Sequence, residues 1–341
     1  MGRVVLFGSV TLPADLPPWP FSYEPVPRGE WAAGDYVVAE VLPHSGPVEA
    51  FELRNGREAV PMPGDLLVGA FARRFATLEA AGSFEHIGED GLMHSMSEAG
   101  CFGLVTSRSR FSGGLMPLGY RGHVLVDGAK TNMREHLPPA SDADFLLPVV
   151  LVVGTSMSAG KTFSACVAVR QLKELGLRVV ASKLTGAGRR HDVLTMRDAG
   201  ADHVFDFIDA GLPTTVCRPE VFREAIGGLL SRMAETDAQV AVIEAGASPL
   251  EPYNGGTLVE LLEDRVVFTI LCASDPYALV GIQQAWGRTF DLVAGPAANT
   301  EAGVALVRRL AELPAMDLMS PENYPVLRGR LREALSLEEP E

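Results

Sequence analysis

One junction constrains this chain more than any other stretch: the apolar run Phe145 to Val153 leads directly into Gly154-Thr155-Ser156-Met157-Ser158-Ala159-Gly160-Lys161-Thr162. An apolar run of that length, with no alternation, fits a strand covered on both faces, as in a parallel sheet. The small residues that follow let successive backbone N–H groups wrap an anion. The helix expected to begin at Lys161 points its positive end at the same place. The segment closes in the Gly-Lys-Thr of a phosphate-binding loop, with the leading glycine one residue earlier than in the strict G-x-x-x-x-G-K-[ST] spacing. Nucleotide contacts are therefore expected from Gly154, Thr155, Ser158, Ala159, Gly160, Lys161, Thr162 and Phe163. Lys161 is expected to reach the β and γ phosphates, and the Thr162 hydroxyl to hold Mg²⁺.

Strands and helices alternate beyond that loop. The pattern predicts helices at Lys161–Leu175, Pro219–Glu235, Thr257–Leu262, Tyr277–Trp286 and Glu301–Leu313. Strands are expected at Arg178–Lys183, Gln239–Glu244, Val266–Ala273 and Asp291–Val293, with a polar loop after Lys183. This is the rhythm of an α/β, doubly wound parallel sheet, which binds ligands at the carboxyl ends of its strands. The last 25 or so residues either pack back or form an acidic tail. Residues 1–135 read differently, as a smaller β-rich domain. Short β-prone runs recur at Val4–Val10, Tyr36–Leu42, Val48–Leu53, Leu66–Phe71, Cys101–Thr106 and His123–Val126, separated by turn residues. An antiparallel barrel or sandwich is expected, with one helix near Leu67–Ala81. Met62, Met93, Met96, Phe84 and Phe102 are read as its core. The polar, proline-paired stretch 136–146 reads as a linker to the P-loop domain, 147–341.

With 341 residues the chain is long enough for two domains. Its net charge of −14 gives no electrostatic support for binding nucleic acid or an anionic membrane, so any anion must be held locally. No apolar stretch has the length of a membrane span, and the N-terminus does not read as a signal peptide. Cys101, Cys166, Cys217 and Cys272 are far apart and lack metal-ligand spacing; they are read as buried thiols of a cytoplasmic protein. The 29 basic residues include only four lysines, Lys130, Lys161, Lys173 and Lys183. A lysine kept in so arginine-rich a chain suggests a need for a compact ammonium on a thin stem.

Lys183 is one such position, at the carboxyl end of the strand after the P-loop helix and followed by Leu184-Thr185-Gly186. There it would neutralise charge on a transferred phosphoryl group or a substrate carboxylate. Glu244 ends the apolar strand Gln239–Glu244, where a carboxylate would enter the Mg²⁺ shell, and Asp192 is a candidate second ligand. His191 and His203 with Asp198, Asp202 and Asp206 do not form a helical ligand pair, and solvated helix charges account for most of them. There is no G-x-S-x-G elbow, no H-E-x-x-H, and Gly186-Ala187-Gly188 lacks the third glycine of a dinucleotide site.

Taken together, Gly154 to Thr162, Lys183-Leu184-Thr185-Gly186, Asp192-Val193-Leu194-Thr195-Met196-Arg197 and Glu244-Ala245-Gly246-Ala247-Ser248-Pro249 resemble the signature of the dethiobiotin synthetase-like group of P-loop enzymes. The resemblance covers about residues 147–313, roughly half the chain. It implies that Lys161 and Lys183 bind phosphoryl oxygens, that Thr162, Asp192 and Glu244 hold Mg²⁺, that Asn299 reads the base, and that the chain forms a homodimer. Ala245, Ser248 and Leu184 depart from the family at positions near its substrate, and the β-rich domain is foreign to it. A second similarity is to the P-loop family that includes D-glutamate N-acetyltransferase-like proteins. It runs through Asp206-Phe207, Asp209-Ala210-Gly211, and Glu244 on to Pro252, Gly255 and Gly256.

The leading expectation is an enzyme using Mg-ATP, or GTP, to phosphorylate or activate a small carboxylate or carbamate, with ligation or cyclisation following. Lys161, Lys183 and Glu244 are its expected catalytic residues. A nucleotide-dependent switch with a protein partner, and an acyl-CoA-dependent N-acyltransferase, are the competing classes.

Overall fold

The computed structural model describes residues 4–45, 50–111, 113–139 and 141–338. Two compact units emerge: Met1–Pro139 with Ala187–His191 and Phe207–Ala225, and Ala140–Gly186 with Asp192–Asp206 and Ile226–Glu341.

The first unit is built on five strands, β1 (Tyr36–Val41), β2 (Leu66–Phe71), β3 (Leu92–Ser95), β4 (Cys101–Arg108) and β5 (Met116–Val126). Antiparallel ladders join β2 to β1, β1 to β5, β5 to β3 and β3 to β4. The ring then closes through a parallel pairing of β4 with β2, Cys101 opposite Ala70 and Phe102 opposite Phe71. Closure removes the exposed edges that such a sheet would otherwise present. Of the expected antiparallel barrel or sandwich the ring is a barrel, but not a wholly antiparallel one: it closes on a parallel seam, and Val5–Phe7 adds a second parallel pairing along β2.

Residues two apart on each strand share a face. Val37, Ala39 and Val41 on β1 and Leu67 and Phe71 on β2 join Met93, Phe102, Met116 and Leu118 in one buried cluster. Gly69 falls between Leu67 and Phe71, and a Cβ there would stand 2.2 Å from the Gly100 carbonyl oxygen and 2.6 Å from the Phe102 ring. The bare backbone lets the seam close and the Phe102 ring take the vacant position.

Two expectations for this unit are corrected. The helix near Leu67–Ala81 is absent: β2 runs on to a hairpin, Arg73–Phe75 paired antiparallel with Ala80–Ser83. A fully buried apolar run does not distinguish strand from helix by its period, and the barrel decided it. Met62 is 69 % exposed, whereas Met93, Met96, Phe84 and Phe102 are core. The part of the Val48–Leu53 strand at 48–49, and Ala140 of the linker stretch, lie outside the described residues.

A buried polar network also sits in this unit. Asp35, 1 % exposed, accepts from Lys130 Nζ at 2.7 Å and from Asn132 Nδ2 at 2.8 Å, and lies 3.3 Å from His123 Nε2. Burial alone would raise the Asp35 pKa, but the His123, Lys130, Asn132 and Ala32 hydrogen bonds outweigh it and hold the carboxyl below its ordinary value. A lowered carboxyl contributes stability above its unfolded pKa of about 3.9, and that contribution is lost as pH falls through the folded value. Asp35→Asn should therefore melt lower than wild type at pH 7 and lose less between pH 6 and pH 3. Thermal melts across that range check it, and parallel acid limbs would refute the role.

The second unit contains six parallel strands: β6 (Val149–Gly154), β7 (Val179–Thr185), β8 (His203–Asp206), β9 (Val240–Ala245), β10 (Val266–Cys272) and β11 (Leu292–Ala294). Their spatial order is β8-β7-β9-β6-β10-β11, which places the P-loop strand between β9 and β10. The helices are α1 (Lys161–Glu174), α2 (Arg190–Asp198), α3 (Pro219–Ala234), α4 (Gly255–Leu262), α5 (Pro276–Trp286), α6 (Glu301–Ala311) and α7 (Tyr324–Ala334). The fold is the expected α/β, doubly wound parallel sheet, with a β-rich region N-terminal to it.

Val150 and Val152, Val240 and Val242, and Ile270 and Cys272 pack with Ala165, Ala168 and Leu172 of α1 and Leu327 and Leu331 of α7. The C-terminal stretch thus folds back, and Arg328 Nε donates to Gln171 Oε1 at 3.1 Å. Leu151, on the alternate face of β6, borders a cavity of about 290 Å³ with Val259 of α4 and Trp286 of α5.

The region after Lys183 is less irregular than expected, since α2 and β8 lie within it. His203–Asp206, read as solvated helix charges, is a strand. Asp202 pairs with Lys173 and His203 with Asp237. Among the described residues no three His, Cys, Asp or Glu side chains form a group able to hold a metal ion, and no helix is long and apolar enough to cross a membrane. The four cysteines are thiols, Cys101 and Cys272 buried and Cys166 and Cys217 half-buried.

Candidate nucleotide site

The site is assembled at the carboxyl ends of the central strands of the second unit. Every residue of β6 is buried. The chain then turns through Ser158 (φ 59°) and Gly160 (φ 88°) before α1 begins at Lys161. Gly160 is the helix N-cap and adopts the left-handed conformation that glycine reaches without strain. Thr155 anchors the start of the loop to the neighbouring strand: its N–H donates to the Cys272 carbonyl at 3.0 Å, and its hydroxyl accepts from the Ser274 N–H at 3.0 Å.

The early leading glycine acquires a reason here. A Cβ on Gly154 would lie 2.8 Å from Lys161 Cδ and 3.1 Å from its Nζ. Gly154 therefore clears the path along which the lysine stem folds back over the strand end. Lys161 is 4 % exposed, and its ammonium donates to the Ser156 carbonyl at 2.6 Å. Burial pulls its pKa down, only partly countered by Glu244.

Strand register places the other groups in a row. Lys183 on β7 is directly opposite Glu244 on β9 and Asp206 on β8, and Glu244 is opposite Val152 on β6. Lys183 is 7 % exposed and forms an ion pair with Asp192 in the first turn of α2. Burial alone would lower its pKa, yet Asp192 and Glu244 together raise it above the ordinary lysine value, so the ammonium keeps its proton. Glu244 is 2 % exposed, and burial pushes its carboxyl up despite Lys183, Lys161 and a hydrogen bond with Thr162.

Tight backbone packing supports the row. A Cβ on Gly246 would fall 2.1 Å from the Thr185 carbonyl oxygen and 2.6 Å from Lys183 Cε. The Gly246 N–H donates to Thr185 Oγ1 at 3.0 Å, joining the ends of β7 and β9. Gly246→Ala should therefore cost about 3 kcal/mol, read as a lowered denaturant midpoint. A change below about 1 kcal/mol would mean that the two strand ends separate easily.

Of the expected site residues, the fold brings Lys161, Thr162, Lys183, Asp192 and Glu244 together through these contacts. The segment after β11 also approaches the loop, since a Cβ on Gly295 would stand 2.4 Å from the Ala159 carbonyl oxygen. Asn299, four residues on, is exposed at the end of the turn Pro296–Ala298, and Phe163 is 46 % exposed on α1. Thr185, Gly246 and Gly295 were not singled out for these contacts; their roles appear only once the strands are neighbours. Cys272 beside the loop is an inert thiol: burial raises its pKa to about 12, and it donates to Ser164 Oγ at 3.2 Å.

Glu244 Oε2 is buried with no hydrogen-bond partner among the described residues. Such an oxygen, beside the Thr162 hydroxyl, fits a hard divalent cation that takes its other ligands from phosphate and water.

No protein-family model matches the chain, and no curated protein matches it. Similar solved structures include the signal recognition particle receptor FtsY from Elizabethkingia anophelis, at 16 % identity over 56 % of this chain and 68 % of that one, with a TM-score of 0.34. The hydrogenase maturation factor HypB from Archaeoglobus fulgidus is 14 % identical over 55 % and 90 % of the two chains, with a TM-score of 0.37. A DUF1611 family protein from Anabaena variabilis is 16 % identical over 60 % and 63 %, also at 0.37. Likenesses this distant carry no argument about activity, which rests on the geometry of the site itself.

Proposed function

We propose that this chain is a Mg-nucleotide-dependent enzyme that phosphorylates or activates a small acid, a carboxylate or carbamate, with ATP as the donor. The observation that carries the reading is Lys183: a buried ammonium kept protonated by Asp192, opposite Glu244 in the row beside the P-loop strand. A loop that only binds and releases nucleotide needs Lys161 and Thr162. A second fixed positive charge serves a transfer, because it stabilises charge on the acceptor or the moving phosphoryl group without reorganising. Thr162 and Glu244 would hold the cation, which when bound neutralises phosphate oxygens. Lys161 would leave the Ser156 carbonyl for the phosphates, and Asp192 would keep Lys183 aimed. The overlap with dethiobiotin synthetase-like signatures supports the reaction class. Ala245, Ser248 and Leu184 argue for a different acid.

The test is ADP and phosphate release by the purified protein with Mg-ATP, with and without a desalted pool of small cellular acids, using Lys161→Ala as the blank. Release stimulated several-fold by the pool is expected, and fractionating the pool then identifies the acid. Slow release indifferent to the pool would overturn the reading and favour a nucleotide switch with a protein partner.

A further inference from the structure

The chain carries a net charge of −14, yet its arginines are not evenly matched with carboxylates. In the first unit Arg121 pairs with Glu40, Arg74 with Glu79, Arg190 with Asp209, and Arg189 with Glu58 and Glu98. Arg28, Arg134 and Arg218 have no ion pair among the described residues. All three line one cavity of about 1030 Å³ in that unit, together with Arg73, Trp31 and Phe84.

The cavity wall is prepared for anions in two ways. Two of its four guanidinium groups are held: Arg28 lies over the Trp31 ring at 5.8 Å and Arg73 over Phe84 at 5.2 Å. Arg73 is also fixed by Glu85, with Nε to Oε2 at 3.1 Å and Nη2 to Oε1 at 2.5 Å. Stacking of this kind orients the N–H edges of a guanidinium while leaving them available. The second preparation is charge. The lining carboxylates are Glu85, engaged by Arg73, and Glu135, which accepts from the Asn132 N–H and the Thr131 hydroxyl. With Arg73 neutralised by Glu85, four arginines against two glutamates still leave the wall positive, a charge that an anion from outside would neutralise.

We infer that this cavity binds a small organic acid carrying at least two negative charges, gripped by Arg28, Arg134 and Arg218, with its carbon skeleton against Trp31. Planar guanidinium forks match both carboxylate and phosphate oxygens, so the shared chemistry is a compact polyanion. The size is at the upper end for a small-molecule site, about 300–1,000 Å³, and suits a metabolite. None of these residues belongs to the nucleotide site, and the inference does not rest on the function proposed for that site. Cys217, a half-buried thiol within electrostatic reach of Arg134 and Arg73, serves as a local reporter.

The test uses the full-length Lys161→Ala protein, so that the P-loop lysine contributes nothing. It is titrated calorimetrically with citrate and, separately, with inorganic pyrophosphate. Alkylation of Cys217 by iodoacetamide is followed by mass spectrometry, with half-buried Cys166 as the internal control. Saturable binding of at least one probe with Kd below about 1 mM is expected, together with slower labelling of Cys217 but not of Cys166. Citrate alone would identify a polycarboxylate ligand, pyrophosphate alone a phosphate, and either supports the site. The double replacement Arg134→Ala/Arg218→Ala should weaken binding at least tenfold while the circular dichroism spectrum and melting temperature hold, because both side chains are exposed and unpaired. Should that protein fold poorly, Arg28→Ala alone gives the same reading. Binding of neither probe, or binding that survives loss of the arginines, would overturn the inference.

Discussion

Lys161→Ala should reduce nucleotide turnover by about 10²- to 10³-fold, the range seen when one preorganised positive or hydrogen-bonding group is removed from a transition state. The expectation follows from where the lysine is held. Its stem lies along the end of β6, in space that Gly154 leaves by having no side chain, and its ammonium rests on the Ser156 carbonyl of its own loop. That carbonyl is an exchangeable partner, so a phosphate can replace it with little rearrangement of the stem. Burial weakens the hydration of the ammonium and strengthens its pull on an incoming anion. Two readouts separate this from a folding defect: binding of a fluorescent nucleotide, which should weaken strongly, and the melting temperature, which should stay within about 5 °C of wild type. Turnover within threefold of wild type would mean that the loop binds phosphate through its backbone alone.

Much of the second unit could be read from residues because a strand buried on both faces writes itself as an apolar run. Val179–Thr185, Val240–Ala245 and Val266–Cys272 lie within a residue or two of where their runs suggested, and Val149–Gly154 begins four residues into its run. The elements that escaped were polar. Arg190–Asp198 is a nine-residue helix with only Val193 and Met196 buried, and no residue of His203–Asp206 except Asp206 is fully buried. Their apolar content is too small to show a period, and they form because neighbouring strands and helices accept them. In the barrel the strand-forming runs were visible but not the ring. Its closure depends on Gly69 leaving room for Phe102, a contact between residues 33 apart that no local window contains.

The site divides along the same line. That Lys183 and Glu244 stand at strand ends was legible, since both follow apolar runs. That they are direct cross-strand neighbours depends on β9 inserting between β6 and β7, which alternation alone does not specify. The pairing of Lys183 with Asp192 similarly required α2 to exist.

Lys183 also explains why this arginine-rich chain keeps a lysine there. If the proposed transfer is the reaction, Lys183→Ala should lower turnover by about 10²-fold with the acid identified in the pool, while nucleotide affinity falls much less, because Lys161 and the loop remain. The sharper result concerns Lys183→Arg, which should fail to restore turnover although it restores the charge. The stem threads a slot bordered by two glycines: Lys183 Cε is 3.3 Å from where a Cβ on Gly186 would sit and 2.6 Å from one on Gly246. A planar guanidinium is wider than that slot and cannot place its charge between Asp192 and Glu244. Arginine would therefore be displaced from the row, leaving Glu244 without its neighbouring cation. Steady-state kinetics with nucleotide and acid varied separately distinguishes the outcomes. The expected pattern is a kcat loss for both replacements with nucleotide KM nearly unchanged. Recovery of kcat by arginine would show that position 183 needs only a positive charge, and the slot would then have no part in selecting lysine.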